Sequence, residues 1–211
     1  MREIPTTELN QPETAKNPRR LPPEVLTDSE VCALMRACSR NAPTGLRNRA
    51  LIALLYRSGL RINEALDLYP KDLDLADGSV RVLNGKGGRS RMVGVDPGAI
   101  AIIERWLDAR TRKGLNNRQP VFCTLAGQPM ADAYIRVMLK RLAKRAGIEK
   151  RVHAHGLRHT HAAQLRAEGV DIAIISRQLG HSSISTTARY LDHLAPRAVI
   201  ETIRQRNWIG A

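Results

Sequence analysis

A chain of 211 residues, 43% of them hydrophobic, can hold one sizeable core, or a core with a small appendage. Its formal charge of +14 builds a positive field that favours a polyanionic partner, nucleic acid before an anionic membrane surface, although a merely soluble or thermophilic basic protein has the same balance. Three cysteines without a CxxC pair, an N-terminus without an apolar signal stretch and no run of membrane-spanning length argue against a disulfide-stapled secreted protein or a membrane protein, and for a cytoplasmic one.

In chain order, residues 1–22 are polar and broken by Pro5, Pro12 and Pro18, and read as a flexible lead-in. Residues 23–211 read as a single domain. Thr27 and Glu30 form a capping-box pattern ahead of the helix in "VCALMRAC". A second helix fits "LRNRALIALLYRS", with Gly59 as its C-terminal stop, and a short third fits "RINEALDL". The period then falls to two through "KDLDLADGSVRVLNGKGGRSRMVGVD", cut by "DGS" and "GKGG", which predicts a small antiparallel sheet. Helical spacing returns in "GAIAIIERWLDAR", "ADAYIRVMLKRLAKRA", "HGLRHTHAAQLRAEG", "DIAIISRQLG" and "SISTTARYLDH", and last in "PRAVIETIRQRNW". The expectation is an α+β, mainly α-helical fold with one small antiparallel sheet.

Aromatic residues are scarce at 3%, so Leu, Ile, Val, Ala and Met must build the core. Tyr56 and Tyr134 read as packing residues. Cationic residues gather between 131 and 160, where Arg136, Lys140 and Lys144 recur every four residues on one helix face, with Arg141 and Arg145 beside them. That stripe can follow a phosphate backbone, or be the solvated face opposite an apolar stripe of Ile135, Met138, Leu142 and Ala146. The two readings are compatible.

Five short features carry chemistry. Arg61 in "SGLRINEAL" follows the Gly59 break, near a helix start that favours anions, with Glu64 three residues on to hold its guanidinium. Lys86 lies at a glycine-rich hairpin tip in "NGKGGRSR", near Arg89 and Arg91. His155 and Arg158 in "HGLRH" share a helix face, the one able to exchange protons near neutral pH, the other to fork onto phosphate. His181 follows the Gly180 helix stop, and Tyr190 lies nine residues further on. The cluster His153, His155, His159 and His161 raises a structural metal, but no cysteine and no suitably placed carboxylate completes it, so none is expected. Taken singly, each feature fits an ordinary surface pair, charged turn or half-buried aromatic.

Taken in this order, Arg61, Lys86, His155, Arg158, His181 and Tyr190 resemble the tyrosine recombinase family, also called phage-integrase-type recombinases. "SGLRINEAL", "HGLRHTHAAQL" and "LGHSSISTTARYL" are similar to Xer-type catalytic domains in particular, over roughly residues 21–194. The resemblance implies the fold of that catalytic domain. It also implies strand cleavage and rejoining on double-stranded DNA through a covalent 3′-phosphotyrosine, with no cofactor. Tyr190 would be the nucleophile, Arg61 and Arg158 the clamp on the non-bridging oxygens, and His181 a donor to the same phosphate. Lys86 would be the general acid, His155 a proton acceptor or orienting group, and Glu64 a support for Arg61. Arg89, Arg91, Arg136, Lys140, Arg141, Lys144 and Arg145 would contact DNA. The resemblance further implies a tetramer joined through the helix at 196–208, which packs in trans or in cis. With only residues 1–22 ahead of the match, no separate N-terminal DNA-clamping domain is expected. A type IB-like topoisomerase and a non-catalytic DNA-binding regulator stand as the rival readings.

Overall fold

The computed structural model describes residues 24–83 and 90–194, together with position 204. The lead-in at 1–22, the hairpin tip bearing Lys86 and Arg89, and nearly all of the helix expected at 196–208 lie outside the described residues.

The capping box forms: the Thr27 hydroxyl accepts from the Glu30 N–H at 3.2 Å, and the Glu30 carboxylate accepts from the Thr27 N–H at 2.7 Å. It starts α1 (Asp28–Arg36), which ends two residues short of the expected Cys38. Next, α2 (Pro43–Ser58) begins earlier than its apolar pattern, because Pro43 fits the first helical position, where no N–H is needed. Ala50 to Leu55 are all buried, so α2 is covered on every side. It is the central helix, and α4 (Pro97–Arg112) and α6 (Ala154–Ala167) pack on it.

Between them lie the short α3 (Ile62–Leu66) and a three-stranded antiparallel sheet of β1 (Leu73–Asp74), β2 (Ser79–Val82) and β3 (Arg91–Gly94), in that order. The register pairs Val80 with Val93 and Val82 with Arg91. Val80, Val82 and Val93 point inward, and Arg81 and Met92 outward, as period-two alternation requires. The carboxylate of Asp96 then caps α4 by accepting from the N–H groups of Gly98 and Ala99.

The main core is aliphatic, as the composition requires. Its two large aromatic fillers are Phe122 and Trp106, and the Trp106 indole donates to the Val121 carbonyl at 2.9 Å. On α5 (Asp132–Arg145), Ile135, Met138, Leu139, Leu142 and Ala143 are buried, while Ala146 caps the helix. Tyr134 departs from expectation. It is 46% exposed, one residue off that stripe, and its hydroxyl accepts from buried Arg47 at 3.2 Å. Tyr56 is half-buried, and its hydroxyl donates to Asp28 at 3.1 Å. A second, smaller cluster of Ala162, Ile175, Leu179 and Leu191 joins α6 to α7 (Ile172–Leu179) and α8 (Ile184–Leu194).

Gly59 closes α2 in the left-handed region at φ 66°, and a Cβ there would lie 2.8 Å from side-chain atoms of both His161 and Leu179. Gly114, also left-handed at φ 77°, has nothing among the described residues within 4 Å of its would-be Cβ. Gly114→Ala should therefore cost only the backbone term of about 1–2 kcal/mol. Gly59→Ala should cost clearly more, as measured by urea unfolding. Equal losses for the two would contradict the close packing at Gly59.

Candidate active site

The Gly59 turn delivers the chain into α3 with Arg61 as its N-cap residue. Glu64 reaches back: one carboxylate oxygen accepts from the Arg61 backbone N–H at 2.9 Å, and the other from the Arg61 guanidinium at 2.8 Å. A second guanidinium, that of Arg91 on β3, forks onto the same carboxylate at 2.9 and 2.8 Å. Burial would raise the Glu64 pKa, but the hydrogen bonds and charges of Arg91 and Arg61 outweigh it and hold the group at about 2. Glu64 is therefore a permanent anion between two cations.

Arg158 comes from α6 and is 1% exposed. Its guanidinium donates to the carbonyls of Gly59 at 2.5 Å and Leu179 at 2.6 Å, and lies 3.1 Å from His181 Nε2. Burial, then the charge of Arg61, lowers its pKa to about 10, so it stays cationic near neutral pH. One turn earlier, His155 is exposed. Partial desolvation and the Arg158 charge lower its pKa, which leaves it neutral and able to accept a proton. An open cleft of about 480 Å³ is lined by Leu60, Arg61, Asn63, Glu64, His155 and Arg158, among others.

Gly180, left-handed at φ 65°, ends α7 and turns the chain into His181. Arginine only donates, so the contact from Arg158 fixes His181 Nε2 as an acceptor and places the ring proton on Nδ1, 2.8 Å from the Thr187 hydroxyl. Burial and the charges of Arg158, Arg61 and Arg91 lower the His181 pKa to about 4.

On α8, the Tyr190 ring stands edge-on to His181 with centroids 5.5 Å apart. Its hydroxyl is buried and, among the described residues, meets no partner with full hydrogen-bond geometry, although the Arg158 guanidinium is near enough to act on it. Burial pushes the phenol pKa well above its ordinary value, while the charges of Arg158 and Arg61 pull it back. Arg61, Glu64, His155, Arg158, His181 and Tyr190 thus meet in one place, from four separate stretches of chain. The set can hold a phosphodiester, stabilise charge on its oxygens, and offer a phenol as nucleophile.

Lys86 and Arg89 lie outside the described residues. Arg136, Lys140, Arg141, Lys144 and Arg145 are exposed on α5, and Arg136 pairs with Asp132 at 2.8 Å. Arg91 is placed differently from the expected phosphate contact: its guanidinium is committed to Glu64. No sequence signal joins positions 64, 91 and 180, which lie on separate elements. Sequence spacing suggests for His159 only a metal ligand. In the fold its ring stacks on Tyr190, with centroids 4.8 Å apart, and meets His155 edge-on at 4.3 Å. The signal for it was its spacing of four from His155. Among the described residues, no group of three or more His, Cys, Asp or Glu is placed to hold a metal ion, and no helix is long and apolar enough to cross a membrane.

The family described as "Phage integrase family" matches residues 24–197. The chain is 40% identical over 179 residues to the tyrosine recombinase XerD of Ralstonia nicotianae (strain ATCC BAA-1114 / GMI1000), covering 84% of this chain and 58% of that protein. It is also 40% identical, over 184 residues, to the tyrosine recombinase XerC of Xanthomonas campestris pv. campestris (strain B100), covering 85% of this chain and 55% of the relative. The chain therefore spans little more than half the length of these relatives. Among solved structures, the XerA recombinase superposes with a TM-score of 0.75 at 29% identity, covering 88% of this chain and 66% of that one. The XerH site-specific recombinase, in a post-cleavage complex with palindromic difH substrate, gives 0.71 at 30% identity, covering 88% and 54%.

The buried imidazoles of His159 and His161 and the half-buried one of His181 set an acid limit on stability. His159, His161 and His181 have native pKa values of about 4 against 6.5 for the free side chain, in each case chiefly through burial. Between those values the unfolded chain binds protons that the native state refuses. Stability is thus complete above about pH 6.5 and falls as the pH drops toward 4. Both ring nitrogens of His161 are buried without partners among the described residues. Replacing it as His161→Leu should flatten the decline in melting temperature between pH 7 and pH 5, and an unaltered slope would contradict this assignment.

Proposed function

The chain belongs to the phage integrase family, and we propose that it is a site-specific DNA recombinase that cleaves and rejoins strands through a 3′-phosphotyrosine. The observation that carries this reading is the gathering of Arg61, His155, Arg158 and His181 about the Tyr190 phenol, beside an open cleft. The fold of the described residues is that of tyrosine recombinase catalytic domains.

In this reading a backbone phosphate of double-stranded DNA enters the cleft between α3 and the start of α6. Arg61 and Arg158 neutralise the charge that builds on the non-bridging oxygens. For Arg158 this means exchanging backbone carbonyls for phosphate oxygens. The exchange also frees His181 Nε2, which must gain a proton before it can donate to the phosphate. The phosphate's own charge favours that protonation.

His155, held neutral, takes the phenol proton as Tyr190 Oη bonds to phosphorus. The bond to the 5′ oxygen breaks as that oxygen receives a proton, which we assign to Lys86. Attack by a 5′ hydroxyl reverses these steps and rejoins the strand. The bond energy stays in the phosphotyrosine, so the cycle needs neither ATP nor a metal-bound water.

Because the Tyr190 hydroxyl is enclosed, α8 has to shift for attack. The cluster anchoring α8 is small, centred on Leu191, Ile175, Leu179 and Ala162, which makes that shift inexpensive. The exposed cations of α5 would follow the DNA backbone. We further assign the segment 196–208 to contacts between protomers of a tetramer on DNA.

The test uses nicked duplexes selected for binding from a randomised library. Wild type should leave an SDS-resistant protein–DNA adduct on particular sequences. Tyr190→Phe should abolish it while binding affinity stays within about twofold, since the lost oxygen is buried away from the surface that meets DNA. Arg61→Ala should slow adduct formation by about 10²–10³. Relaxation of plasmid without site preference would instead indicate a topoisomerase, and shifted DNA without adduct a regulator. Separately, changing Lys140 and Lys144 to Ala should weaken binding uniformly across sequences and reduce the log–log salt slope by about one per lost phosphate contact. An unchanged slope would remove α5 from the interface.

A further inference from the structure

We propose that Arg91 is a positioning residue for this chemistry: it locks Glu64 in the orientation that fixes Arg61, and braces the turn that presents His181. The inference rests on the strand-cleaving reading above and assigns Arg91 a task within it.

The two guanidiniums on Glu64 are not equivalent. The Arg61 side chain is 32% exposed and lines the cleft, whereas that of Arg91 is 14% exposed and spends both terminal nitrogens on the two carboxylate oxygens. Arg61 meets the carboxylate through one terminal nitrogen only, so its other donors stay available to a phosphate. If Glu64 had Arg61 as its sole cation, the carboxylate would be free to fork onto it and cancel its charge. With Arg91 in place, two cations share one anion, and the trio keeps a net charge of about +1.

Arg91 also reaches the other half of the site. A Cβ on Gly180 would lie 2.5 Å from Arg91 Nε and 2.7 Å from its Cζ, so the Arg91 guanidinium occupies the space that a side chain at position 180 would need. Gly180 is the left-handed cap from which His181 departs. A separate tie registers the strand on the helix. Gln178 of α7 accepts from the Gly94 N–H at 3.0 Å and donates to the Gly94 carbonyl at 2.8 Å. β3 is therefore fixed to α7, and Arg91, its first residue, spans from Glu64 to the His181 turn. Arg61 and His181 lie far apart in the chain, and Arg91 touches the support of each.

The experiment compares Arg91→Gln and Arg91→Lys with wild type on the selected nicked duplexes, measuring Kd, its salt slope, single-turnover adduct formation and the melting temperature. We expect Arg91→Gln to leave Kd and salt slope unchanged within about twofold and to slow adduct formation by about 10–100-fold, the scale of a misplaced catalytic group. Lysine should restore part of the rate, because it keeps the charge without the fork. In an Arg61→Ala background, Arg91→Gln should add less than its full effect, since part of its action runs through Arg61. Gly180→Ala, whose methyl would push on the Arg91 guanidinium while leaving both charges of the ion pair in the protein, should slow the adduct with no change in salt slope, and so reports on the contact even if Arg91→Gln melts early. A salt slope reduced by about one with the adduct rate intact would make Arg91 a phosphate contact and overturn the inference alone, as would a fully additive loss in the Arg61→Ala background. Absence of any adduct from wild type would overturn both this inference and the function it rests on.

Discussion

A guanidinium buried with no carboxylate bonded to it among the described residues is the constraint on which the rest of the structure depends. Removing a charge from water costs several kcal/mol unless fixed dipoles replace the lost hydration. Arg158 finds those dipoles in two carbonyls, of Gly59 and Leu179, and in the lone pair of His181. Each partner sits where a helix ends or has just ended. Both stops are left-handed glycines, Gly59 and Gly180, since a Cβ at either would strike its neighbours. The ends of α2 and α7 are thereby drawn to one cation on α6, and the cleft opens where they meet.

This arrangement suits a ligand that brings its own negative charge. The local carboxylate, Glu64, is already shared by Arg61 and Arg91, so the cluster keeps an excess of positive charge. Burial first, and then the same excess of charge, depresses the basicity of His155 and His181, which favours their neutral forms until an anion arrives. The phenol of Tyr190 feels two opposed effects, burial that keeps its proton on and cations that draw the proton off. A bound phosphate moves these equilibria together. Occupancy and the readiness of the proton-transferring groups are therefore linked by ordinary electrostatics, without a dedicated switch.

Much of this was legible before any coordinates. The α1 capping box, the Gly59 and Gly180 stops and the alternating strands follow from local rules, because each depends on neighbours within a few residues. The group Arg61, His155, Arg158, His181 and Tyr190 was legible as a pattern in one order along the chain. What the pattern could not carry was long-range. Arg91 belongs with Glu64 because β3 is docked on α7 through Gln178, a contact between residues 84 apart. Tyr134 faces outward because α5 turns its apolar stripe one residue away, and a tyrosine sits as readily at the edge of such a stripe as within it. His159 shares its helix face with His155, which suited a metal or a stacking partner equally, and only the position of α8 decides for the stack.

The central claim is that the Tyr190 oxygen itself becomes bonded to DNA phosphorus. The most direct measurement traps the wild-type protein on a nicked duplex, digests the product with nuclease and trypsin, and maps the added mass by tandem mass spectrometry. The account predicts a nucleotide 3′-phosphate on the peptide that begins at Tyr190, carried by that side chain. A nucleotide on any other residue, or a cleaved strand with no residue modified, would contradict it.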